Sequence, residues 1–71
     1  MTPTIDRLTD KEEAIAVLWG HDGLTPAQIS VRLGITERQV RRAGERARHK
    51  MDKPTIGAVA VAVMLERAGV A

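Results

Sequence analysis

Three threonines each stand three residues before a glutamate or glutamine: Thr9 before Glu12, Thr25 before Gln28, and Thr36 before Gln39. That arrangement is a capping box. The hydroxyl accepts from the backbone N–H three residues on, and the longer side chain reaches back to the threonine's own N–H. A single box recurs by chance. Three of them, each opening a segment of helical apolar spacing, mark three helix starts and restrict the chain to short connections. Pro26 strengthens the second start, because its fixed φ suits the first helical position.

The first helix spans residues 10–20, with Ile15, Leu18 and Trp19 facing inward, and Gly20-His21-Asp22-Gly23 breaks it. The second is short, 26–33, with Ile29 and Leu33 on one face. Gly34 suits the left-handed cap that ends it. The third spans 37–51, with Val40, Ala43, Ala47 and Met51 as its apolar stripe. Its other side carries Arg38, Arg41, Arg42, Glu45, Arg48 and His49.

A fourth helix spans 55–68, opening near Pro54-Thr55 and stopping at Gly69. It is apolar nearly all round, so it is either buried or shared with a partner. The alternation of Ala and Val from Ala58 to Val63 also fits a strand. A lone strand here has nothing to pair with, so helix is the better reading. The fold class is therefore all-α: a four-helix helix-turn-helix domain over residues 8–71, without winged elements, behind a loose tail at 1–7.

Composition sets the limits of the core. Apolar residues make up 44% of the 71, yet Trp19 is the sole aromatic. Leu, Ile, Val, Met and Ala must fill one small core, and dimerisation or a bound polyanion can add to its modest stability. The chain has no cysteine, which excludes disulfides and thiolate metal sites and fits a reducing cytoplasm. The N-terminus lacks the apolar stretch of a signal peptide. The longest apolar run, Ala58 to Leu65, is too short to span a bilayer.

Net charge is only +2, but the charges are segregated. From Glu37 to Lys53 there are seven cations (Arg38, Arg41, Arg42, Arg46, Arg48, Lys50, Lys53) against three anions (Glu37, Glu45, Asp52). Before Glu37 the balance reverses, with Arg7, Lys11 and Arg32 against Asp6, Asp10, Glu12, Glu13 and Asp22. A cationic stretch confined to one helix suits a polyanion, although a solvated arginine face gives the same pattern.

Residues 26–51 thus read as a short helix, a tight glycine turn and a longer helix whose outer face the core does not need. The major groove of B-DNA admits one α-helix, and arginine donates two hydrogen bonds to a guanine edge. Cations facing phosphates add salt-sensitive affinity. Arg41 and Arg42 are the candidates for base contact; Arg46, Arg48 and Lys50 suit phosphate or water. Glu45 can accept from cytosine N4 or pair along the helix with Arg41 or Arg48.

Three blocks carry a family likeness: Leu8-Thr9-Asp10-Lys11-Glu12-Glu13, Gly23-Leu24-Thr25-Pro26-Ala27-Gln28-Ile29-Ser30, and Arg32-Leu33-Gly34-Ile35-Thr36-Glu37-Arg38-Gln39-Val40-Arg41. Together they resemble the LuxR/GerE-type helix-turn-helix of bacterial transcription regulators, within the superfamily that includes sigma factor region 4. The resemblance implies base contacts from Arg41, Arg42 and Glu45, and phosphate contacts from Thr36 and Gln39. It also implies a dimer contact through the fourth helix, at Ile56, Val59, Ala60, Val63 and Met64. The chain departs from the family pattern at Ala43, usually histidine, at the helix-interior Gly44, and at the small Ala47.

The expected function is sequence-specific binding of double-stranded DNA by a small bacterial or phage regulator, through Thr36, Arg38, Gln39, Arg41, Arg42, Glu45, Arg46 and Arg48. The alternative is an adaptor or inhibitor that docks on RNA polymerase or a larger regulator through the fourth helix. No enzyme is expected: there is no phosphate loop and no nucleophile with a positioned base. His21 and His49 lie far apart without a third ligand, so neither a metal nor another cofactor is implied. Glu12-Glu13 reads as a pair of acids that complement a helix dipole.

Overall fold

The computed structural model describes residues 8–69. Its elements are α1 (Asp10–Gly20), α2 (Pro26–Leu33), α3 (Glu37–Met51) and α4 (Ile56–Arg67). The chain is all-α, with four helices and no strand among the described residues. The tail expected at 1–7 lies outside the described residues.

All three capping boxes form. Thr9, Thr25 and Thr36 accept from the backbone N–H of Glu12, Gln28 and Gln39 at 3.1, 3.2 and 3.0 Å. The three longer side chains accept in return from the threonine N–H groups, each at 2.9 Å. Thr55 caps α4 more simply, accepting from the Ala58 N–H at 3.1 Å. Gly34 ends α2 in the left-handed conformation, φ 68°. Asp52 ends α3 at φ 52°, a conformation that aspartate tolerates better than most residues. The α2–α3 and α3–α4 connections are therefore short and fixed at both ends.

The core has two parts. Ile15, Ile29, Val40 and Ala43 join α1, α2 and the first half of α3, with Leu18, Trp19, Leu24, Leu33 and Ile35 around them. Ala16, Ala47, Val59 and Val63 join α1, the second half of α3 and α4, with Leu8, Val17, Met51 and Ile56 around them. Helices α1 and α3 run through both parts, so the tilt of α3 is set at two separate points along its length.

Two glycines permit close helix packing. A Cβ on Gly44 would lie 2.5 Å from the Trp19 indole. A Cβ on Gly20 would lie 2.5 Å from the Ile56 carbonyl oxygen. Both distances are impossible contacts, so these positions require glycine as packed. The helix-interior glycine at 44, unfavourable by roughly 1 kcal/mol against alanine on propensity alone, thus has a steric reason in α1.

The fourth helix corrects one expectation. Val59 and Ala60 are fully buried and Val63 nearly so; Val59 and Val63 pack with Ala16 of α1 and Ala47 of α3, and Ala60 lies against Gly20 of α1. Ile56 packs on the same cluster. Val59, Ala60 and Val63 lie in the protomer's own core, which removes these three from the expected dimer surface, whereas Ile56 is only partly buried. Met64 is half-buried. The side left open is centred instead on Val61, 56% exposed, and Leu65, 47% exposed.

Candidate nucleic-acid interface

The sequence of α3 divides it into two sides. Val40, Ala43, Gly44 and Ala47 are buried. At 100° per residue, Arg38, Arg42, Glu45 and His49 fall directly opposite that seam. All four are exposed. Arg41 and Arg48 fall on the flank toward the start of α4, while Arg46 and Lys50 fall on the flank toward the start of α1. Thr36 and Gln39 are exposed at the N-terminal end of the helix, beside the turn from α2.

The cations on these three strips are held very differently. On the α1 flank, Arg46 Nε donates to Glu12 Oε2 at 3.2 Å and Lys50 Nζ to Glu12 Oε1 at 2.9 Å. Glu12 is 3% exposed and also accepts the Thr9 N–H. Burial pushes its carboxyl up, but the hydrogen bonds from Lys50, the Thr9 backbone and Arg46 outweigh that and hold it below the ordinary value. The box that caps α1 is therefore also the counter-ion that fastens the C-terminal half of α3.

On the α4 flank, Arg41 Nη2 donates to Glu37 Oε1 at 2.8 Å, one turn earlier on the same helix. Arg48 Nη1 donates to the Pro54 carbonyl at 3.0 Å. On the outermost strip, Arg38 and Arg42 make no side-chain ion pair or hydrogen bond with any described residue. Glu45 lies 3.9 Å from Arg48 and 4.0 Å from His49, at the limit of an ion pair. Within the chain Glu45 pairs loosely along the helix with Arg48 and His49 rather than Arg41, which leaves its contact to a cytosine amino group open.

The expected contact residues accordingly fall into groups. Arg38, Arg42 and Glu45 share the outer strip with Arg41 close by; Thr36 and Gln39 lie at its leading end. Arg46 and Arg48 are partly engaged with the chain itself. His49 belongs to the outer strip and is absent from the expected set. Its spacing of four from Glu45 was the available signal.

No group of three or more histidines, cysteines or acids is placed to hold a metal among the described residues. None of the described helices is long and apolar enough to cross a membrane. No protein-family model, curated protein or solved structure matches the chain.

Proposed function

We propose that this chain binds double-stranded DNA in a sequence-specific manner as a small transcription regulator, with α3 as the reading helix in the major groove. The observation that carries the reading is the division of α3. The apolar side seats the helix at two points of the core, Glu12 ties one flank to α1, and the opposite side presents Arg38 and Arg42, which have no partner among the described residues. A helix held rigidly by one face can enter a groove without rearranging the fold.

The roles follow from position. Arg38 and Arg42 are directed at base edges, with Arg41 beside them after release from its exposed Glu37 pair, a contact of small energetic value. Glu45 is the acceptor available to a cytosine amino group. Thr36, Gln39 and the first turn of α3 meet phosphate, as do Arg46 and Arg48 at the edges of the groove. The likeness to LuxR/GerE-type regulators supports the roles of Arg41, Arg42, Glu45, Thr36 and Gln39, while that of Arg38 rests on its position alone; a cytoplasmic location fits the reading. A homodimer on DNA would use the strip around Val61 and Leu65, because Val59, Ala60 and Val63 are occupied by the core.

Selection from a random duplex pool, followed by titration of the selected duplex over a salt series, tests this reading. A preferred sequence whose affinity falls steeply with salt is the expected result. The exposed Val61–Leu65 strip favours one other reading, a protein adaptor. That reading is supported instead if no sequence is enriched and weak binding to all duplexes vanishes with salt.

A further inference from the structure

We propose that the cleft between α1, α3 and the start of α4 binds a small organic acid with one negative charge and an apolar body. The cleft holds about 430 Å³, within the range of small-molecule sites. Trp19 and Ile56 supply apolar wall, and Arg41, Arg48 and Glu45 line the same space.

Three features shape the ligand. The first is room. Gly44 has no side chain, so the Trp19 indole packs directly on it and forms a flat apolar wall beside the open volume. The second is charge. Arg48 is steadied by the Pro54 carbonyl, so its guanidinium is positioned before any ligand arrives. Arg41 brings a second guanidinium, tied among the described residues to the exposed Glu37. The third is exclusion. Glu45 borders the cleft and repels additional negative charge, which favours a monoanion over a phosphate ester or dicarboxylate. A carboxylate between the two arginines and a ring or alkyl body against Trp19 satisfies all three.

The consequence for DNA rests on the proposed function, since Arg41 and Glu45 belong to both surfaces. A bound acid occupies Arg41 and weakens duplex binding. The cleft itself does not depend on that reading.

The test uses benzoate, with benzyl alcohol and acetate as controls, on the full chain at neutral pH and without DNA. Backbone amide shifts locate the site, and Trp19, the sole aromatic, reports it independently by fluorescence. Benzoate is expected to give saturable shifts at Gly44, Glu45, Thr55 and Ile56 together with a change in Trp19 emission. Neither control should saturate at the same concentrations. R48Q is expected to weaken benzoate roughly tenfold, the loss typical of a charge-assisted hydrogen bond. E45Q, which leaves both arginines in place, is expected to tighten it. Absence of saturable shifts at the cleft, equal response to benzyl alcohol or acetate, or E45Q without effect overturns the proposal. A cleft that binds benzoate in a chain that binds no duplex overturns the DNA reading alone.

Discussion

The two ends of the α3 surface carry the same kind of side chain and put it to opposite use. Toward the C-terminus, Arg46 and Lys50 converge on the buried Glu12 of α1. Toward the N-terminus, Arg38 and Arg42 extend from the molecule with no partner among the described residues. Positive charge on a helix therefore does not by itself mark a polyanion site. What distinguishes the two is whether a desolvated acid within the fold claims the cation. The C-terminal cations tie α3 to α1, while the buried seam of Val40, Ala43 and Ala47 turns the N-terminal ones outward.

The sharpest break between the two ends comes from removing the outer pair. The double variant R38A/R42A is expected to lose about 2–5 kcal/mol of affinity for a selected duplex, with little change in thermal stability. Titration calorimetry of the duplex and a melting curve check the two halves of that statement. A large loss of stability with unaltered affinity would reverse the assignment of the two ends.

The inner group should behave in the opposite way. E12Q keeps the shape of the side chain but removes the charge that Arg46 and Lys50 share. It is expected to destabilise the fold by about 2 kcal/mol, read by urea denaturation, because the bonds from Arg46 and Lys50 weaken while the exposure of Arg46 screens part of the loss. Acid should reproduce the effect in the wild type. Because the folded chain holds the Glu12 carboxyl below its ordinary value, its contribution is complete above the unfolded carboxylate range. It fades as pH falls through the lower folded value. E12Q should lack that component of acid destabilisation, and matched pH–stability curves for the two proteins reveal whether it does.

Packing between the two ends gives a smaller effect. G44A drives a methyl group into Trp19 and is expected to cost about 1–3 kcal/mol, although alanine is the better helix former. A blue or red shift in Trp19 emission should accompany the loss. Stabilisation by G44A would mean that Trp19 yields easily and does not fix the tilt of α3.

The smallest effect lies at the surface pair. E37Q frees Arg41 from an exposed ion pair and is expected to change stability by less than about 0.5 kcal/mol. Duplex affinity should hold or rise slightly, because a negative charge leaves the interface. A clear loss of affinity would show that Glu37 positions Arg41 for DNA.

Much of the fold was legible because capping is local chemistry. Threonines 9, 25 and 36 and their reciprocal partners lie within four residues, so α1, α2 and α3 begin and end where the sequence implies. The outward strip of α3 was legible for the same reason: the apolar stripe defines its opposite. Long-range contacts were not. Glu12 reads as a dipole-complementing acid, and its true partners lie 34 and 38 positions away. Gly44 reads as a helix defect until Trp19 is packed against it. The alternating Ala and Val of α4 have no helical period, so nothing in them says that Val59, Ala60 and Val63 turn inward while Val61 turns out.

The central claim is that the outer strip of α3 is the surface that meets DNA, and mapping the chain's amide and guanidinium resonances against a selected duplex tests it most directly. The account predicts perturbations concentrated at Thr36, Arg38, Arg41, Arg42 and Glu45, with Val61 and Leu65 affected only if binding drives dimerisation. Perturbations confined to α4, or none at low salt with any duplex, would contradict it.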